Sequence, residues 1–222
     1  PTKYLQQMDQ SDVIYALSIY LLEKVRAERG IFGQILEYIE VKYIPHFSGI
    51  LKSMIDPLLN IFYKYLANLT DTERRDMCAS FTMCELIQQF ASRNERVQTR
   101  VDPILKDFAN NYPIQICNTE VLKSVATTYN ELSKNEDQQR IQIFSEIIDK
   151  MFNEAFSSVP NSFNAAIFHS QVGENLFDQN CSSLFPILQK LSPDLNEKIM
   201  KQVMMRSLVS GQAKFANEEL IR

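Results

Sequence analysis

Residues 54 to 62 read MIDPLLNIF, and residues 101 to 108 read VDPILKDF. Each segment places an aliphatic residue before Asp-Pro, two aliphatic residues after it, and a phenylalanine six positions past the aspartate. The two aspartates, Asp56 and Asp102, lie 46 positions apart. A pattern that recurs at this interval predicts two copies of one structural unit.

The prolines of this pattern predict where helices start. Proline has no N–H and its ring clashes with the preceding helical turn, so Pro57 and Pro103 predict a start or a kink. Asp56 and Asp102 are favourable N-cap residues for such starts. The four residues are therefore predicted to mark equivalent helices in successive units.

The spacing of the pattern favours a solenoid. Two helical segments per roughly 40 to 47 residues is the period of HEAT and armadillo repeats. A weaker echo follows at Ile147-Ile148-Asp149, where Lys150 replaces the proline, and Ser192-Pro193 falls one period later. We predict an all-α, HEAT/armadillo-like α-solenoid over residues 1–222, with about four to five helical hairpins of roughly 46 residues. The alternative is an ordinary helical bundle with two chance Asp-Pro helix starts.

Composition agrees with a helical globular chain. Of the 222 residues 45% are hydrophobic and 23% charged, and only five are glycine. No segment alternates with a period of two, so no strand is predicted. The formal net charge of −4 gives no reason to expect nucleic acid as a partner. No run of about 18 apolar residues predicts a membrane span.

Helical patterns follow one another along the chain. In the first, capped by Ser11 or Asp12, apolar residues recur at three and four positions and share one face: Ile14, Leu17, Leu21, Leu22 and Val25. Further N-caps are predicted at Thr70, with Glu73 completing a capping box, at Asn94, and at Asn118 or Thr119. The strongest amphipathic stripe comprises Ile141, Phe144, Ile148, Met151, Phe152 and Ala155. The predicted helices span approximately 12–29, 32–44, 48–68, 70–92, 94–112, 118–133, 136–157, 162–171, 181–191 and 192–211, with a last one from 213.

Motifs for chemistry are missing from the sequence. It has no phosphate-binding glycine loop and no kinase signature, so no catalytic residue and no cofactor are predicted. The cysteines, Cys78, Cys84, Cys117 and Cys181, form no C-x-x-C pair, and only His46 and His169 could join them. We therefore predict no metal site, and reduced thiols in a cytosolic protein.

Two basic clusters are candidate binding patches. Arg93, Arg96, Arg100 and Lys106 gather in one region, which could bind a phosphate or an acidic partner, or form a solvated face paired with acidic neighbours. Residues 198–214 carry Lys198, Lys201, Arg206 and Lys214. That segment could lie on an anionic membrane, bind a partner, or pack within the array.

Several helices resemble one family. The run NERVQTRVDPILKDFANNYPIQICNTEVLKSVATTYNELS, residues 94 to 133, resembles a helical segment of the phosphatidylinositol 4-kinase type III alpha family. Residues 19–40, 47–66 and 138–160 look similar in the same order. The likeness rests on helix-packing positions. Its points are the basic helix through Arg96 and Arg100, the helix end at Phe108…Tyr112-Pro113, and Glu120-Val121-Leu122-Lys123, which opens the next helix.

The resemblance implies a scaffold segment of a lipid kinase. Such kinases carry a long α-solenoid before a C-terminal catalytic domain, which transfers the ATP γ-phosphoryl group to phosphatidylinositol at the plasma membrane. They assemble with tetratricopeptide-type and hyccin-type partners. No position here matches a catalytic motif, so this segment is expected to hold protein partners in a membrane-associated assembly, in the cytoplasm or peripherally at the plasma membrane. Because the chain begins at Pro1 without methionine, we expect a fragment of a longer protein.

Two other functions remain open from the sequence. A karyopherin-like or other HEAT-repeat adaptor would bind proteins and have no enzymatic parent. A free-standing helical enzyme would instead need a deep pocket with convergent polar groups.

Overall fold

The computed structural model describes residues 10–40 and 47–162, with residues 197 and 201. Within these residues all regular structure is helical, which confirms the all-α prediction for this part of the chain. Its helices are α1 (Gln10–Ala27), α2 (Gln34–Glu40), α3 (Phe47–Asn68), α4 (Thr72–Phe90), α5 (Glu95–Asn111), a 3-10 helix (Pro113–Cys117), α6 (Thr119–Lys134) and α7 (Gln138–Ser158).

Side-chain caps fix several helix starts. Asn94 accepts a hydrogen bond from the Arg96 N–H at 3.0 Å, and Asn118 accepts one from the Glu120 N–H at 2.9 Å, which confirms both predicted caps. The predicted cap at Thr70 is wrong by one residue. Asp71 is the N-cap of α4 and accepts from the Arg74 N–H at 3.1 Å. A carboxylate at this position also interacts favourably with the helix dipole, which a threonine hydroxyl does less well.

The two Asp-Pro segments lie inside helices. Pro57 is in the interior of α3 and Pro103 in the interior of α5. The prediction that Asp56 and Asp102 cap new helices at these prolines is therefore wrong. Both proline rings are exposed, so the lost N–H leaves no unpaired group in the core, and the packed apolar side of each helix offsets its cost.

The two segments nevertheless share one pattern of buried residues within their helices. Four residues at corresponding places are buried in each helix: Leu51, Ile55, Leu58 and Phe62 in α3, and Val97, Val101, Ile104 and Phe108 in α5. The residue four positions before each proline carries a hydroxyl that bonds back to the helix. Ser53 Oγ donates to the Ile50 carbonyl, and Thr99 Oγ1 to the Glu95 carbonyl, each at 2.7 Å. The two segments therefore share their buried positions and a hydroxyl that bonds back within the helix.

A first compact unit ends at Asp107. Helix α3 lies at its centre, because α1, α2 and α4 all pack against it. Phe32, in the loop after α1, stacks on Phe62 with ring centroids 5.7 Å apart. The Tyr63 hydroxyl donates to Asp107 Oδ2 at 2.6 Å, which joins the two helices that carry the repeated segment.

A second compact unit begins at Phe108. Its α7 packs against α6 and the 3-10 helix. The structure buries the whole predicted stripe of α7, namely Ile141, Phe144, Ile148, Met151, Phe152 and Ala155. Phe108 packs on Tyr112 with ring centroids 4.8 Å apart, at the end of α5.

Other predictions fall outside the described residues. These are the helix predicted at 162–171 after its first residue, all helices predicted after it, the Ser192-Pro193 start, and the residues His46, His169 and Cys181. In the part that is described, no helix has the length and apolar character that crossing a membrane requires.

Replacing Pro57 with alanine tests its place inside α3. The new N–H can bond the Ser53 carbonyl, and the exposed ring contributes little packing. We expect Pro57→Ala to raise the free energy of unfolding by about 1–3 kcal/mol, measured by urea denaturation. Lys64→Ala, at another exposed site of α3, is the control and should change it by less than about 0.5 kcal/mol. A net loss of stability in Pro57→Ala would contradict this placement.

Candidate functional site

Among the described residues, the most prominent surface feature is one face of α1. Large apolar side chains with 43% to 58% of their area exposed line it: Ile14, Tyr15, Leu17, Leu21, Leu22 and Val25. We call these six residues the outer face of α1. The prediction that the apolar residues share one face is confirmed, and this face points to solvent.

The opposite side of α1 is the buried one. It carries Ala16, Ile19, Glu23 and Ala27. The two alanines let the helix backbone approach α3 closely, since they add little bulk between the helices. Sequence periodicity could not choose between the two sides, because the larger apolar side chains stand on the outer one.

The outer face of α1 is also uncharged. Residues 13 to 22 contain no Lys, Arg, Asp or Glu. Asp12 and Glu23 border this uncharged segment, and Lys24 pairs with Glu28 at 3.7 Å at the C-terminal end of the helix. A contiguous apolar patch on a folded unit is a recognised mark of an interaction surface. A smaller apolar pair, Met77 and Phe81, is exposed on α4 one turn apart.

A charged cluster lies under α1, where the helix faces the unit's interior. Glu23 is 4% exposed, and Arg26 Nη1 donates a hydrogen bond to its Oε1. Tyr38 of α2 hydrogen-bonds both of these side chains. Burial raises the pKa of Glu23 above its usual value, although the hydrogen bond and charge of Arg26 act in the opposite direction.

Glu85 of α4 belongs to the same cluster. Its Oε2 is buried and has no hydrogen-bond partner. The carboxyl lies against Gly33, where a Cβ would stand 2.6 Å from Oε2. Burial, and then the negative charges of Glu37 and Glu23, raise the pKa of Glu85 to about 7, against the opposing charge of Arg26.

Sequence reasoning missed this cluster. The signal that could have found part of it is Glu23, a charged residue between the small residues of α1's other face. Glu37 and Glu85 lie on separate helices and gave no local signal. Within the described ranges, no group of three or more His, Cys, Asp or Glu side chains is arranged to hold a metal ion.

The first predicted basic patch is spread along and before α5. Arg93 precedes the helix, Arg96 and Arg100 stand one turn apart, and Lys106 follows. Lys106 lies about 120° around the helix from Arg100, so it faces a different direction. The structure brings Arg96 and Arg100 together, and anion binding by the patch stays a prediction.

Of the basic residues in the second segment, 198–214, the structure describes only Lys201. Lys201 forms an exposed ion pair with Glu197, four residues earlier. That lysine is therefore partly neutralised within its own segment. Lys198, Arg206 and Lys214 lie outside the described residues.

The three described cysteines, Cys78, Cys84 and Cys117, form no disulfide. Cys78 is buried, and Cys84 and Cys117 are partly buried. Burial raises the pKa of Cys78 above its usual value and that of Cys117 to about 11. Because the thiolate is the nucleophile, Cys78 and Cys117 are poor candidates for covalent catalysis.

Comparisons of the chain with protein-family models, with curated proteins and with solved structures found no match.

Gly33→Ala tests the close approach between Gly33 and Glu85. Gly33 has φ +122°, a conformation that strains an L side chain, and the added methyl would meet Glu85 Oε2. We expect the free energy of unfolding to fall by roughly 1–3 kcal/mol in thermal or urea denaturation. Gln34→Ala, at the next residue, is the control and should stay within about 0.5 kcal/mol. Equal effects of the two substitutions would refute the close contact.

Proposed function

We propose that this segment is a non-catalytic helical scaffold that binds a partner protein through the outer face of α1. The observation that carries the proposal is the exposure of six large apolar side chains on one uncharged helix face. Covering a half-exposed side chain of this size is worth roughly 1 kcal/mol, so the face as a whole offers a substantial driving force for association.

The occupant that fits this face is an amphipathic helix of the partner. The outer residues Ile14, Leu17, Leu21 and Val25 form a ridge at helical spacing, and such a ridge packs into the groove of another helix. Since residues 13 to 22 carry no charge, the contacting side of the partner helix is apolar as well.

A membrane surface fits less well. A helix that lies on a bilayer has a solvated, basic polar side opposite its apolar side. The side of α1 opposite its outer face instead packs toward α3 and carries the buried Glu23. The charge pattern therefore favours a protein partner.

The proposed architecture is a HEAT/armadillo-like solenoid. Supporting it are the matched buried positions of the two Asp-Pro helices and the hydrogen bond from Tyr63 to Asp107 between them. Solenoids of this type present extended surfaces on which partners assemble.

For the parent protein we propose a phosphatidylinositol 4-kinase of type III alpha, working in the cytoplasm and peripherally at the plasma membrane. The support is the collinear resemblance of its helices. In this role the segment holds assembly partners and positions a downstream lipid-kinase domain. Determining the full reading frame tests the parent: a lipid-kinase catalytic domain is expected downstream. Further helical repeats without that domain would overturn the kinase parent and favour a karyopherin-like or other HEAT adaptor, which the outer face of α1 fits equally.

Site-specific photo-crosslinking tests the interaction surface itself. A photoreactive amino acid placed at Leu21 in the full-length protein should crosslink in cells to a peptide of another protein, identified by mass spectrometry as an apolar helical segment. The same probe at Asn60, an exposed and polar site of α3, is the matched control. Crosslinks only to lipid, or no more crosslinking at Leu21 than at Asn60, would refute the proposal.

Substituting the face tests whether the captured partner depends on it. Leu17→Gln with Leu21→Gln keeps length and helix propensity and removes apolar contact. We expect the affinity for the crosslinked partner to fall by at least about tenfold, measured by calorimetry, with less than about 1 kcal/mol of lost stability. Unchanged affinity in a folded double variant would contradict the assignment of this face.

A further inference from the structure

The cluster of Glu23, Arg26, Glu37 and Glu85 joins three helices of the first unit. Glu23 and Arg26 come from α1, Glu37 from α2 and Glu85 from α4. The loop that carries Gly33 lies directly on the Glu85 carboxyl, with a Cβ position 2.6 Å from Oε2. The segment from α1 to α2 therefore meets α4 at this carboxyl.

The cluster contains more carboxyl groups than basic side chains. The charges that act on Glu85 are Glu23 and Arg26 from α1 and Glu37 from α2. Arg26 is already engaged by Glu23 through a hydrogen bond and by Tyr38. When Glu85 is ionised, two further negative charges, Glu37 and Glu23, act on it against the single positive charge of Arg26. Its buried Oε2 has no donor. A buried carboxylate without a partner is costly, whereas the neutral acid is tolerated.

We propose that Glu85 is a proton-operated latch, which holds the α1–α2 segment against α4 when its carboxyl is protonated and loosens that contact when it is ionised. The proposal goes beyond the scaffold function and does not depend on it. The outer face of α1 is carried by the segment that the latch holds, so the proton also controls how firmly that face is fixed in place.

The direction of the effect follows from the raised pKa of Glu85, about 7 compared with an ordinary 4.5. The folded unit holds the proton more tightly than the unfolded chain. The resulting stabilisation is fully present at pH values below the ordinary pKa of 4.5. It is lost as the pH rises through about 7. Glu23, whose pKa burial also raises, acts in the same direction.

Hydrogen exchange of the full chain tests the latch. Protection factors of amides in residues 31 to 40, corrected for intrinsic exchange, should fall by at least about threefold between pH 6 and pH 8. Glu85→Gln keeps the shape of the side chain and removes its titration, so the fall in protection over this range should be clearly smaller than in the wild type, and only the part due to Glu23 should remain. Glu73→Gln, an exposed site on the same helix, is the matched control and should behave like the wild type. A pH-dependent loss of the same size in Glu85→Gln would overturn the proposal.

Carboxyl NMR of the wild-type chain tests the latch without relying on a variant's folding. The side-chain carboxyl resonance of Glu85 should titrate with a midpoint near 7. Its assignment by sequential experiments does not require Glu85→Gln. A midpoint near 4.5 would refute the latch, even if Glu85→Gln fails to fold.

Discussion

The first unit depends on the buried side of α3. Leu51, Ile55, Leu58, Phe62 and Leu66 are at most 2% exposed, and they form one continuous stripe along the helix. Because α1, α2 and α4 all pack against α3, this stripe provides an apolar surface that these three helices share. The interior proline is tolerated for the same reason. Its ring stands on the side of α3 that does not take part in the packing.

Helix existence could be predicted from the sequence because its causes are local. The stripe of α7 and the caps Asn94 and Asn118 all depend on residues a few positions apart. The role of the prolines could not be predicted in this way. An Asp-Pro pair is equally compatible with the start of a helix. Only the packing around Pro57 and Pro103 determines that each helix continues through its proline. For α1, the helical spacing of the apolar residues predicted correctly that they share one face. Whether that face is exposed depends on which neighbouring helices cover it.

The candidate sites show the same difference between features with local causes and features that depend on tertiary packing. The basic residues at Arg96 and Arg100 were found because they are one helical turn apart. The latch residues were not found, since Glu23, Glu37 and Glu85 come from three helices that meet only after folding. Nothing near Glu85 in sequence distinguishes it from an ordinary surface glutamate. Its environment is created by Gly33, whose missing side chain leaves room for the carboxyl.

The interior prolines have a consequence for the order of folding. Isolated helices of this length are marginal in water, and a proline in the middle weakens them further. Segments 47–68 and 95–111 are therefore poor helices on their own. They gain helical structure as their buried sides find partners, so that local and tertiary order develop together. An interior proline thus reduces the amount of apolar helix that either segment forms before the surfaces that cover it are in place.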